Sequence, residues 1–227
     1  MGPSFASLIA SAVSSSVAAS VSFCTNAQSS VDASTYTFSS QSIGTAATGR
    51  RIVIGVAGSK GGTVSVTSVT VGGNAATQLC TDEGSGGGAN QRTALYIVQV
   101  DTGTTADIVV TYSATCARSG IGVWAVYDLQ SSTPVATATS QTVDPYTSGS
   151  LSHTAGGVGI YVAYTYYSGG LPTHSPTNAT ERYDIDTEAG LLPHTGGDAT
   201  FSTTGSTTIT VDPTFQTAGS ACFVSLR

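Results

Sequence analysis

Beyond about residue 30 the chain alternates. Apolar residues recur at every second position with Ser or Thr between them, as at Val64 and Val66 and then at the offset pair Val69 and Val71. A period of two is that of a β-strand with one buried and one wet face. β-Branched residues dominate these runs, and Gly, Asp, Ser and Pro clusters separate them at the spacing of a sandwich. Strands are expected over 36–38, 51–57, 63–71, 75–80, 93–100, 107–112, 120–127, 135–143, 157–166, 177–184, 199–203, 207–211 and 221–226. The run 120–127 is apolar on both faces, so Trp124 reads as the core of a central strand, and Cys222 sits in a similar run. Two stretches break the pattern. Residues 83–90 are Gly-rich, match no phosphate-cradling motif and are expected to be a mobile loop. Residues 169–178 carry Pro172, His174 and Pro176 and read as irregular.

The first 30 residues follow a different period. Phe5, Leu8, Ile9, Ala12, Val13 and Ser16 fall on one helical face, and Pro3 and Ser4 suit a helix start. No basic stretch precedes these residues, and serines interrupt them, which makes a poor secretory signal. A short Ala/Ser helix is marginal alone. Residues 1–30 are therefore read as a short arm, helical or extended, that anchors on a neighbour through Phe5, Leu8, Ile9 and Val13.

The pattern also repeats. RIVIGVAGSKGG (51–62) resembles GIYVAYTYYSGG (159–170), and TGTTADIVV (102–110) resembles TGSTTITV (204–211). Each second motif is followed by a Cys, Cys116 or Cys222, and then an apolar strand. This is the mark of a duplicated β unit whose halves, about 31–130 and 131–227, cannot bury their apolar faces alone. The expected fold is all-β: a two-layer antiparallel β-sandwich, jelly-roll-like, over 31–227 and built from two duplicated halves. Two tandem sandwiches are the alternative.

Composition narrows the function. Only 9% of residues are charged, and 32 Ser, 36 Thr and 27 Gly make up 95 of the 227. Seven basic against 13 acidic residues give a net charge of −6, which argues against nucleic acid as a partner. No apolar run approaches the roughly 18 residues of a membrane helix. A hydroxyl-clad surface with weak charge repulsion lets copies pack closely, as in a coat.

Candidate chemistry is sparse. Cys24, Cys80, Cys116 and Cys222 show no zinc-ligand spacing and read as free thiols, two disulfides being the alternative. Asp184, Asp186 and Glu188 alternate and point one way in a strand, but they match a calcium loop only in part and read as a solvated strand end. His153, His174 and His194 fall near loops, without HxH, HExxH or a GxSxG elbow, and read as surface residues. No catalytic, cofactor-binding or metal-ligating set is assigned. Tyrosine is the one aromatic concentration. If Val158, Ile160 and Val162 face the core, Tyr161 and Tyr167 face out, beside the loop of His174. These three are the candidate contact for a glycan or a subunit.

The order of motifs TYTFSSQSIG, RRIVIGVAG, SVTVGGNAAT, TALYIVQVDTGTTADIVVTYS and GIGVWAVYDL resembles β-sandwich proteins carried by tailed bacteriophages. The resemblance spans roughly residues 30–227 and rests on structural phrases. It implies a virion surface component: a capsid decoration or cement protein, a head spike or fibre, or a tail-associated receptor binder. No catalytic residues come with it. The resulting expectation is a non-enzymatic virion structural protein without cofactor, most simply one that decorates or cements the phage capsid. It would contact the major capsid protein or other virion proteins, form a homo-oligomer (a trimer by shell symmetry), and lie on the virion surface after assembly in the host cytoplasm. The alternative is a carbohydrate- or receptor-binding module that meets a host surface glycan. A hydrolase using Asp184, Asp186 or Glu188 is a third reading.

Overall fold

The computed structural model describes residues 17–60, 62–86, 89–141, 144–167, 169–187 and 192–227, and every regular element among them is a strand. The first half holds β1 (Ser20–Ser29), β2 (Ala33–Ser42), β3 (Arg51–Lys60), β4 (Val66–Val71), β5 (Asn74–Ala75), β6 (Thr77–Gly86), β7 (Ala89–Gln99), β8 (Thr105–Cys116) and β9 (Arg118–Tyr127). They form two antiparallel sheets, ordered β1-β9-β3-β7-β6 and β2-β8-β4-β5. The chain switches sheet at almost every strand, giving the strand order of a jelly roll. Ile52, Ile54 and Val56 of β3 meet Val69 and Val71 of β4 and Ile108 and Val110 of β8 in the first core.

The second half repeats the plan. Its strands are β10 (Ala136–Gln141), β11 (Tyr146–Thr147), β12 (Leu151–His153), β13 (Gly157–Tyr166), β14 (His174–Thr177), β15 (Thr180–Asp186), β16 (Pro193–Phe201), β17 (Gly205–Thr207), β18 (Thr210–Pro213) and β19 (Ala218–Leu226). The five-stranded sheet runs β10-β19-β13-β16-β15, place for place with β1-β9-β3-β7-β6. Facing it, β11-β18-β14 and β12-β17 take the places of β2-β8-β4, with the long strands β2 and β8 each broken in two. Tyr146, Tyr161, Ile209, Val211 and Phe223 fill this second core.

The two halves stack through their five-stranded sheets. Val53, Leu95, Ile97, Trp124 and Val126 of the first meet Val158, Ile160, Val162, Cys222 and Val224 of the second in one apolar layer. Each such aliphatic side chain, fully buried, contributes about 1.5–3 kcal/mol. Phe23 of β1 and Tyr183 of β15 stack with centroids 5.6 Å apart, and Trp124 lies 5.6 Å from Phe23 and 5.9 Å from Tyr183. The Trp124 indole donates to Asp198 Oδ2 at 3.1 Å, and Asp198 also takes a two-pronged bond from Arg182 at 2.7 and 2.8 Å.

The antiparallel sandwich therefore holds within each half, and stacking makes four layers of sheet. The two halves do not share one pair of layers. The stacking also corrects the phase of the first repeat. Ile52 and Ile54 face the first core, whereas Ile160 and Val162, their sequence counterparts, face the junction. Strands buried on both faces carry apolar residues everywhere, so a one-residue slip leaves no trace in the pattern. The second repeat keeps its phase, with Ile108 and Val110 in one core and Ile209 and Val211 in the other.

Three boundaries differ from the sequence reading. Residues 20–29 are not arm: they form β1, an edge strand paired with β9. The Gly-rich segment is strand in its described part, since β6 runs to Gly86 and β7 begins at Ala89. The stretch read as irregular contains β14, paired with β18. The anchor residues Phe5, Leu8, Ile9 and Val13 lie outside the described residues. Just after them, Ala19 donates to the Gly156 carbonyl at 2.8 Å and the Val17 carbonyl accepts from Arg227 at 2.9 Å. The chain thus touches the second half before it crosses into the sheet of the first.

Candidate functional site

Tyr161 does not face out. It is fully buried in the second core, with its ring against Gly197 of β16 and 6.3 Å from Phe223. The outward reading assumed that β13 had one wet face. β13 has none, because its sheet lies between the second core and the junction. Burial and the neighbouring Glu181 carboxylate push the Tyr161 phenol well above its ordinary value.

The histidines are not surface residues either. His153 is buried, lies flat on Phe201 at 4.0 Å, and bonds the Thr203 carbonyl and the Thr207 hydroxyl, each at 3.0 Å. His194 is fully buried at the junction, 2.8 Å from the Tyr183 hydroxyl. His174 begins β14 and is buried too. Its Nδ1 is 3.0 Å from Asp184 Oδ1, its backbone N–H donates to Asp184 Oδ2 at 3.0 Å, and its Nε2 is 2.8 Å from Thr165 Oγ1.

Hydroxyl, imidazole and carboxylate in that order form the relay of a nucleophilic triad. Burial decides against that use. Thr165 is completely enclosed, and the Tyr146 hydroxyl sits 3.0 Å from Thr165 Oγ1, on the atom a substrate would have to reach. The relay instead pins the start of β14 to β13 and β15. Asp184 is spent in it, so the three alternating carboxylates do not act together, and Glu188 lies outside the described residues. Among the described residues, no three His, Cys, Asp or Glu side chains converge as metal ligands. All four cysteines are free thiols.

The second half also carries a stacked aromatic pair, of which Phe215 is exposed and Tyr167 half-buried. Tyr167, just past the end of β13, stacks on Phe215 in the β18–β19 connection, with centroids 5.2 Å apart and planes 22° apart. Phe215 is 55% exposed, and Leu171, in the same loop as Tyr167, is 49% exposed. Two loops carry these residues and hold each other. Thr214 N–H donates to the Thr173 carbonyl at 2.9 Å, Thr173 N–H donates to Thr214 Oγ1 at 3.0 Å, and Thr217 N–H donates to the Tyr166 carbonyl at 2.7 Å. Tyr167 rests on Gly169, where a Cβ would lie 2.6 Å from its ring.

Of the three candidate contact residues, then, Tyr167 belongs to the stacked pair, His174 is buried between Thr165 and Asp184, and Tyr161 is core. Phe215 escaped the sequence reading: it stands alone between Thr214 and Gln216, and only the fold brings it to Tyr167. The stacked pair and residue 17 are at opposite ends of β13, since Gly156 precedes that strand and Tyr167 follows it. Ten residues of strand separate them by about 30 Å.

Comparisons of this chain with protein-family models, with curated proteins and with solved structures find no match.

Proposed function

We propose that the protein is a non-enzymatic surface component of a tailed-bacteriophage virion, one that decorates or cements the capsid. The observation that carries this reading is the two-ended build. Val17 sits at one end of a braced four-layer body, and Phe215, stacked on Tyr167, is exposed at the other. The apolar residues Phe5, Leu8, Ile9 and Val13 then serve as the anchor on the major capsid protein or another virion protein. The body stands off the shell, and the stacked pair faces away. Low charge and a hydroxyl surface support close packing of neighbouring copies, as a trimer at the local symmetry of the shell. Each copy makes a modest contact, and the number of copies makes the coat stable. The titratable groups gathered in the second half favour this reading over catalysis. Asp184, His174 and Thr165 are bonded to one another inside the fold, where they brace strands.

The test is reassembly. Purified full-length protein and a version lacking residues 1–16 are mixed with particles stripped of their coat and pelleted. Saturable binding of the full chain with loss of binding by the shortened one, both folded, is the expected result. Equal binding by both removes the anchor, and no binding by either removes the capsid reading.

A further inference from the structure

We infer that the Tyr167–Phe215 ledge is a binding site for a neutral sugar ring. This goes beyond the capsid reading, which needs only the opposite end of the body. The two ring planes are 22° from parallel with centroids 5.2 Å apart, so Tyr167 backs one side of Phe215, and Phe215 leaves more than half of its surface to solvent. Such a face matches the C–H face of a pyranose, which is apolar, flat and about one ring wide. The two loops themselves are uncharged and rich in hydroxyls, and Asp184 and Asp212 lie just beyond them, on His174 and before Pro213. Residues 165–173 and 213–217 contain no Asp, Glu, Lys or Arg, and the same loops carry exposed Thr173, Thr214 and Thr217, whose side chains are of the type that bonds sugar hydroxyls.

Size separates a sugar from a protein partner. A stable protein contact takes about 800 Å² from each side, far more than two rings and Leu171 can offer. Rigidity points the same way. Reciprocal bonds between Thr173 and Thr214, and Gly169 beneath Tyr167, hold the platform in place before anything binds, so little ordering is needed. Phe215 is the platform and Tyr167 its support. A single shallow platform binds weakly, with Kd on the order of millimolar, and many copies on one surface convert this into firm attachment. The net charge of −6 disfavours acidic polysaccharides.

The experiment titrates the full-length protein with hexasaccharides of glucose, galactose, mannose and N-acetylglucosamine, and with an alginate hexamer as the acidic counterpart. Amide chemical shifts are followed in the native protein and in Phe215→Leu, Tyr167→Ala and Tyr161→Phe. At least one neutral probe is expected to shift residues 166–173 and 213–217. Phe215→Leu, which keeps apolar bulk but loses the ring, is expected to weaken binding about tenfold. Tyr167→Ala is expected to weaken it less, and Tyr161→Phe not at all. The inference is overturned if no neutral probe shifts these loops, if only alginate does, or if Phe215→Leu binds as the native chain does. It is also overturned if Phe215→Leu turns an oligomer into a monomer in sedimentation, since the ledge would then be a subunit contact.

Discussion

Gly84 of β6 and Gly219 of β19 meet backbone to backbone across the junction between the halves. A methyl group built on Gly84 would overlap the Gly219 carbonyl, and one built on Gly219 would overlap the Tyr146 hydroxyl. Glycine at position 84 sets how closely the five-stranded sheets approach at this corner, and glycine at 219 leaves room for the Tyr146 hydroxyl within the second half. Gly84→Ala is therefore expected to cost about 3 kcal/mol or more, because backbone inside two sheets cannot give way as a side chain can. Gly62→Ala, whose new methyl meets no atom of the described residues within 4 Å beyond its chain neighbours, should change stability by less than about 0.5 kcal/mol. Urea midpoints of the two variants make the comparison. Equal midpoints would show that the sheets are not in contact there.

His194 gives the junction a pH dependence. Burial drives its imidazole down to about 3, with His174 adding repulsion of like charge. Its Nδ1 faces Gly120 of β9, where a Cβ would lie 2.6 Å away, and Tyr164 and Tyr183 flank the ring. The folded state thus holds the neutral ring, while the unfolded chain takes up a proton near pH 6.5. Stability from this group is complete above pH 6.5 and falls as the pH drops toward 3, by about 2 kcal/mol at pH 5. Glu181 and Asp82, both raised chiefly by burial, act in the opposite direction, so the native curve must be read against that of His194→Gln. The difference between the two curves should shrink below pH 6.5. A constant difference down to pH 4 would contradict the assignment.

Asp198 joins the halves through Trp124 and Arg182. It is nearly inaccessible, and its loss leaves a buried indole N–H and a half-exposed guanidinium without their acceptor. Asp198→Ala should cost about 2–3 kcal/mol, below the full value for a buried pair because Arg182 reaches solvent. In a cycle with Trp124→Phe the two losses should be less than additive. Full additivity would mean that the indole and the carboxylate do not interact.

The thiols offer a chemical check on burial. Cys80, Cys116 and Cys222 are buried and Cys24 is half-buried. Burial pushes the Cys222 thiol up, and the neighbouring Cys80 adds to this. Ellman's reagent should titrate all four thiols in denaturant without a reductant, and no more than one of them rapidly in the native protein. Fewer than four in denaturant would mean a disulfide.

How far the fold could be read from residues follows from where side chains carry a pattern. β13 was expected over 157–166 and spans those residues, because a run buried on both faces is apolar throughout. β16 was legible only at its end. Its residues Pro193–Asp198 are small or polar, and they are buried because Gly196 and Gly197 seat the rings of Tyr183 and Tyr161. β1 was hidden because an edge strand is only half-buried and alternates weakly. Arg50 was hidden for another reason. It is fully buried and donates to the carbonyls of Gly44, Val100, Thr102 and Gly103 at 2.8–3.0 Å, and a charge that pairs with backbone has no partner residue to betray it. Of the stacked pair, the place of Tyr167 at the sheet end is legible from its position after an apolar run. Tyr161 was misplaced because the stacking of a second sheet on β13 has no local signature. Phe215 depended on a loop-to-loop pairing across 48 residues of chain.

The proposed attachment to a phage capsid is tested most directly by a density map of the intact virion. Residues 17–227 should fit ordered density at repeated positions on the outer shell, with the Gly156–Arg227 end against the capsid and Phe215 pointing away. Particles that lack the chain, or hold it inside the shell with Phe215 against capsid protein, would rule out an outer coat protein.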